Sequence, residues 1–197
     1  MKRFIIGIGG VTNGGKSTLS RSLQGILPNS CIISQDSFFK DDSVVLTDSR
    51  GFKQYDTLDA LHMDRMMSEI CSWQQDPQDF MLPKAKCFTS EGTKVFFLIV
   101  EGFLIFNYGP LNMLFDKRYF LQIPYETCKL RRSSRVYMPQ DPIGYFDGHV
   151  WPMYLKNRKK MEDMVHDIVF LDGTQKREVL LTTVYKDIQL MLESLQN

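Results

Sequence analysis

The run Gly10-Val11-Thr12-Asn13-Gly14-Gly15-Lys16-Ser17 fits the pattern G-x-x-x-x-G-K-[ST] at every fixed position. Glycines let successive backbone N–H groups curl around a phosphate without Cβ clashes. A helix opening at Lys16 would aim its positive end at the same anion. Lys16 is then placed to reach the β- and γ-phosphates of a nucleotide and the Ser17 hydroxyl to hold Mg²⁺. Two acids add a second chemistry. Asp36 could accept the proton of an attacking hydroxyl or join the metal shell, and Glu101 could support that centre. Lys129–Arg135 reads Lys-Leu-Arg-Arg-Ser-Ser-Arg. Arg131 and Arg135, four apart, share a helix face and Arg132 lies on an adjoining one, so their planar forks suit phosphate oxygens. Tyr55-Asp56 stays open: Asp56 or Thr57 can cap the next helix, or the pair can offer a flat ring and a carboxylate to a ribose. His149 and His166 read as structural, and Trp151-Pro152-Met153-Tyr154 as packing.

These residues need elements to position them. Phe4–Ile8 reads as a buried strand, and Lys16–Leu27 as a helix with Leu19, Leu23, Ile26 and Leu27 on its inner stripe, stopped by Pro28-Asn29. Cys31–Ser34 is a short strand ending at Gln35-Asp36, and Asp41–Gly51 is loop. Leu58, Leu61, Met66 or Met67, Ile70 and Trp73 fall at helical spacing. Gln74–Lys94 is an irregular insert. Val95–Val100 is the most apolar run and suits a parallel strand covered on both faces. Tyr119–Ile123 and Ile168–Asp172 are further strands, followed by helices from Pro124 to Arg135 and from Glu178 to Leu195. Strands alternating with helices predict an α/β fold with a parallel sheet and right-handed crossovers. Such sheets bind ligands at the carboxyl ends of their strands, where the glycine turn, Asp36, Glu101 and Asp172 all fall.

With 24 Lys and Arg against 23 Asp and Glu, the 197-residue chain carries no field favouring nucleic acid. The length suits one domain, residues 1–197, with a lid at about 128–142. The N-terminus runs straight into a strand, and no apolar run is long enough to span a membrane. Four scattered cysteines without a C-x-x-C pair argue against zinc or disulfides and favour the cytosol.

On these motifs the chain resembles the nicotinamide riboside kinases of the vertebrate type. The resemblance covers nearly the whole length. It rests on the glycine-rich run, Ser-Gln-Asp36 with Phe38-Phe39-Lys40, Gln-Tyr-Asp56, Val-Glu-Gly-Phe (100–103), Ile-Pro-Tyr-Glu (123–126), Arg-Arg-Ser-Ser-Arg-Val-Tyr (131–137) and the family-specific block at 145–154. It implies a P-loop kinase fold, related to uridine kinase, with a five-stranded parallel sheet flanked by helices and a small arginine-bearing lid. It also implies ATP- and Mg²⁺-dependent phosphorylation of the 5′-hydroxyl of nicotinamide riboside, and of nicotinic acid riboside, feeding NAD synthesis. Carried over by motif, Lys16, Asp36 and Glu101 are catalytic, and Ser17 and Asp36 bind metal. Gly10–Thr18, Arg131, Arg135, Val136, Tyr137 and Gln175, Lys176 and Arg177 serve the nucleotide. Asp36, Ser37, Phe38, Phe39, Tyr55, Asp56, Arg132, Tyr137 and Met138 serve the riboside, with Tyr55 and Tyr137 around the pyridine ring. Ser37 stands where family members often have a second acid. The double glycine before Lys16 resembles the muscle form, which would imply a protein partner of the integrin type; Val136-Tyr137 resembles the general form. The alternatives are a uridine- or cytidine-type kinase of the same fold and a nucleotide-dependent interaction module. Binding alone would not need the acid.

Overall fold

The computed structural model describes residues 1–81, 95–138 and 140–194. Five strands, β1 (Lys2–Gly10), β2 (Ser30–Ser34), β3 (Val95–Gly102), β4 (Lys117–Gln122) and β5 (Ile168–Asp172), pair in the order β2-β3-β1-β4-β5. Every pairing is parallel. The order places β1 at the centre, with its carboxyl end opening into the glycine-rich turn. Sequential strands are therefore joined by crossovers, and the helices cover both faces.

The alternation of side chains along each strand separates two cores. Phe4, Ile6 and Ile8 of β1 join Phe97 and Ile99 of β3, and they pack against Leu19, Leu23, Val184 and Ile188. Those four belong to α1 (Lys16–Gln24) and α7 (Arg177–Ser194). On the other face Ile5, Phe96, Leu98 and Val100 meet Met66, Ile70 and Trp73 of α2 (Met63–Gln75). β3 is buried on both faces along nearly its whole length, as its unbroken apolar run predicts. The edge strand β5 is different: Val169 and Phe170 remain exposed despite their apolar run, because nothing pairs beyond them among the described residues.

Three expectations are corrected. Helix α1 ends at Gln24, not Leu27. The turn that follows leaves Ile26 42% exposed while Leu27 still folds inward. The Ser30 hydroxyl donates to the freed carbonyls of Gln24 and Leu27, which makes the early stop stable. Leu58 lies in a 3₁₀ turn, Leu58–Ala60, and α2 starts only at Met63 after His62, so neither Asp56 nor Thr57 caps it. Within the expected insert, Pro77–Met81 forms a short helix, α3, while residues 82–94 lie outside the described residues. The remaining helices are α4 (Gly109–Asn112), α5 (Tyr125–Ser133) and α6 (Trp151–Met164). Among the described residues no helix is long and apolar enough to cross a membrane.

Candidate active site

The glycine-rich turn is held in shape by β4. Gly10 has φ +143°, and a Cβ there would lie 2.3 Å from the Leu121 carbonyl oxygen, so only glycine fits. Val11 N–H donates to that same oxygen at 3.2 Å, and Gly14 N–H turns back to Val11 O at 3.1 Å. Gly15, at φ +98°, leads into α1. The Lys16 ammonium, 9% exposed, donates to Val11 O at 3.0 Å inside the loop it belongs to. Burial pulls this ammonium below the ordinary lysine range, while the carboxylates of Asp36 and Glu101 pull it back up. A polyphosphate would act in the same direction as those carboxylates.

Glu101 sits at the end of β3, in register with Ser34 of β2 and Ile8 of β1. It is 4% exposed and accepts from the hydroxyls of Ser17 (3.0 and 3.1 Å) and Ser34 (2.7 Å). It is thus a buried acid beneath the cradle, rather than a strand-end group in solvent. Asp36 lies one turn past β2 in the 3₁₀ segment Gln35–Phe38. Its position is set by Gln35, which is fully buried and accepts from Leu104 N–H at 2.9 Å. A Cβ on Gly102 would lie 2.5 Å from the Gln35 side chain, so Gly102 permits this approach. Asp36 itself is exposed, and its carboxylate takes no hydrogen bond among the described residues.

One cavity of about 820 Å³ opens over the cradle and Asp36, and Glu101 lies beneath it without lining it. Thr12, Asn13, Gly15, Lys16, Ser17 and Thr18 line it, together with Asp36, Phe39, Tyr55, Asp56, Arg131, Arg132, Arg135, Tyr137 and Met138. Cationic side chains outnumber acidic ones on its wall, which suits a polyanion. Phe39 stacks on Phe103 and meets Tyr55 edge-on. The Tyr55 hydroxyl bonds Asp42, and burial together with that carboxylate pushes the phenol up to about 12. Across the cavity the Arg132 guanidinium lies 4.3 Å from the centre of the Tyr137 ring. Arg132 also forms a fork with Asp141 (2.6 and 3.0 Å) and reaches Thr12 Oγ1 at 3.2 Å. Arg131 donates to the backbone carbonyls of Asn13 (3.3 Å) and Gly173 (3.1 Å), so it ties the cradle to the turn after β5. Arg135 reaches Asn13 Oδ1 at 3.5 Å, and the Tyr137 hydroxyl lies 3.0 Å from Asn13 Nδ2.

Several expected residues do not line this cavity. Phe38 is core, packed under the sheet end, and Ser37 and Val136 face solvent. Gly10, Val11 and Gly14 shape the cradle from behind. Gln175 and Lys176 are exposed outside it, and Arg177 is committed to Ser22 Oγ of α1 at 2.6 Å. Asp172 accepts from the Thr174 amide and hydroxyl in its own turn.

Residues 6–152 match a family described as an AAA domain. The chain is 55% identical to nicotinamide riboside kinase 1 of Mus musculus over 193 residues, 98% of this chain and 97% of that protein. It is 47% identical to nicotinamide riboside kinase 2 of Homo sapiens, over 95% of this chain and 81% of that one. Among solved structures, a possible uridine kinase from Bacillus stearothermophilus superposes with a TM-score of 0.55 at 12% identity, covering 87% of this chain and 90% of that one. The chain belongs to the nicotinamide riboside kinase family. Within this riboside kinase family member, sequence reasoning did not point to three groups beside the predicted site residues: Gln35 next to Asp36, Asp141 forked to Arg132, and His149 beside Asp56. Their partners lie far off in sequence or carry no motif. A Gly-Phe pair after a buried strand, as at Gly102-Phe103, was the one local sign that something approaches closely there.

Proposed function

We propose that this chain transfers the γ-phosphoryl group of ATP to the 5′-hydroxyl of nicotinamide riboside, giving the mononucleotide, as a single domain with its lid at about 128–142. The observation that carries the reading is the shared cavity: the phosphate cradle and the Asp36, Tyr55, Asp56 and Tyr137 group line one space. In the reaction the 5′-oxygen forms a bond to the γ-phosphorus as the bond to the β-phosphate oxygen breaks, and the hydroxyl proton passes to Asp36. Lys16, Arg131 and Arg135 neutralise the charge that develops on the phosphoryl oxygens, and Arg132 joins Asp56 at the sugar hydroxyls. Tyr55 and Tyr137 give flat faces for the pyridine, and Asp56 accepts the sugar hydroxyls.

Hard oxygen donors at Ser17 and Asp36, with Glu101 behind, fit Mg²⁺, which would neutralise phosphate charge when bound. Among the described residues there is no cluster of three or more His, Cys, Asp or Glu that could hold a metal alone. Ser17 would then turn its hydroxyl oxygen to the ion while its O–H still points at Glu101.

A coupled ADP-release assay with a panel of ribosides tests the proposal. Nicotinamide riboside is expected to exceed uridine in kcat/KM, and Asp36→Ala is expected to lower kcat about 10²–10⁴-fold. A strong preference for uridine, or near-normal turnover by Asp36→Ala, would overturn the assignment.

A further inference from the structure

Asp56 is surrounded by fixed structure that the catalytic reading does not use. Its backbone carbonyl accepts from Asn157 of α6 at 2.8 Å, and Asn157 O in turn accepts from Asn107 at 2.8 Å. Its carboxylate Oδ2 lies 3.3 Å from Nε2 of His149. His149 is 2% exposed, in the π-helical turn Phe146–Val150, and its ring stacks on Tyr145 at 5.1 Å and 18°. The segment before Tyr55 is clamped against the same turn. Arg50 donates to Gly148 O at 2.9 Å, Tyr145 donates to Lys53 O at 2.5 Å, and a Cβ on Gly148 would come within 2.8 Å of Phe52.

The tautomer follows from the other ring nitrogen. The amide nitrogen of Gln54 lies 3.4 Å from His149 Nδ1. The same nitrogen donates to Phe52 O at 2.9 Å, which turns the amide's N–H end to the ring; with that donor facing it, Nδ1 accepts in the tautomer that carries its proton on Nε2. That buried N–H has no aligned hydrogen-bond acceptor among the described residues, although the Asp56 carboxylate is within reach of it. An unmade bond of this kind is costly, and a small rotation of the carboxylate would complete it. The charges nearby are already divided. Arg132, the cation that acts on Asp56 across the cavity, is already forked to Asp141.

We infer that His149 is a positioning residue for Asp56. Its Nε2–H holds one carboxylate oxygen, keeps the acid from collapsing onto Arg132, and so presents the other oxygen to a vicinal diol. This rests on the reading of Asp56 as the group that accepts the ribose hydroxyls, and it adds how selectivity for ribose over a deoxy sugar is built.

The test compares kcat/KM for nicotinamide riboside and its 2′-deoxy counterpart. His149→Asn keeps a polar group towards Gln54 but loses the donor near Nε2, whereas His149→Gln places an amide N–H near that position. His149→Asn is expected to lower the ribo-to-deoxy ratio about tenfold, through KM for the riboside, while His149→Gln stays within about threefold of the parent ratio. Equal ratios in both variants and the parent, or equal losses on both substrates, would overturn the inference. Asp56→Asn in the same assay separates the two readings. If it collapses the ratio and His149→Asn does not, Asp56 keeps its role and His149 loses its own. If it leaves the ratio unchanged, the sugar reading of Asp56 fails and this inference with it. Nitrogen-15 NMR of the three histidines in the unmodified protein gives an independent reading. A proton on Nε2 with a bare Nδ1 is expected for His149, and the Nδ1–H form would refute the argument without any variant having to fold.

Discussion

Gly10→Ala tests whether the cradle is a rigid extension of the sheet. The added Cβ would lie 2.3 Å from the carbonyl oxygen of Leu121, and that oxygen belongs to a paired strand, so no flexible side chain can yield. Holding alanine at φ +143° costs about 1–3 kcal/mol. Displacing the Val11 N–H bond to Leu121 O costs about 1 kcal/mol more. A total near 3 kcal/mol should lower Tm by roughly 6–12 °C for a chain of this size. Because Val11 O is also the acceptor for the Lys16 ammonium, the displaced loop should bind ATP more weakly than the parent. Gly109→Ala is the control: a Cβ added there would meet nothing within 4 Å and no positive φ is involved, so its Tm should hold or rise slightly. Calorimetry gives both melting temperatures, and titration with a non-hydrolysable ATP analogue gives the affinities. A Gly10→Ala protein that melts within about 2 °C of the parent and binds nucleotide normally would refute the account of the cradle.

Two further outcomes follow from other contacts. Arg131→Ala removes the link between Asn13 O and Gly173 O, so KM for ATP should rise several-fold with KM for the riboside little changed; the reverse pattern would place Arg131 on the acceptor side. At the far end of β4, burial raises Asp187, but hydrogen bonds from Tyr119 and Lys117 outweigh it and leave the carboxyl below its ordinary value of 3.8. A depressed folded-state value means that the contribution is present above the unfolded value and is lost as pH falls through the folded one. The Tm deficit of Asp187→Asn, measured by thermal melts, should therefore be full at pH 7 and shrink below about pH 4; a deficit constant down to about pH 2 would contradict this.

Much of the arrangement was legible because local patterns determine it. The glycine-rich run fits a tight turn between a strand and a helix, and the apolar run at 95–100 suits a strand covered on both faces. What escaped had no local signature. Ile26 fits the helical period of α1, yet the Ser30 hydroxyl satisfies the carbonyls of Gln24 and Leu27, and the helix stops short with Ile26 turned outward. Asp56 looked equally suited to a cap, and only the late start of α2 removes that role. Glu101 is read as an acid supporting the centre, but no spacing says that the Ser17 and Ser34 hydroxyls converge on it. His149 and Asp141 lie beside partners chosen by the fold, Asp56 and Arg132, and no spacing rule relates them.

Under the proposed role of Arg132 at the sugar hydroxyls, its fork with Asp141 bears on the energetics of capture. A bare guanidinium would have to shed a full hydration shell before gripping a hydroxyl. Arg132 has surrendered most of that shell to Asp141, Thr12 and the face of Tyr137 in advance. Its orientation is also fixed before any guest arrives, so the loss of side-chain freedom is charged to folding and not to association.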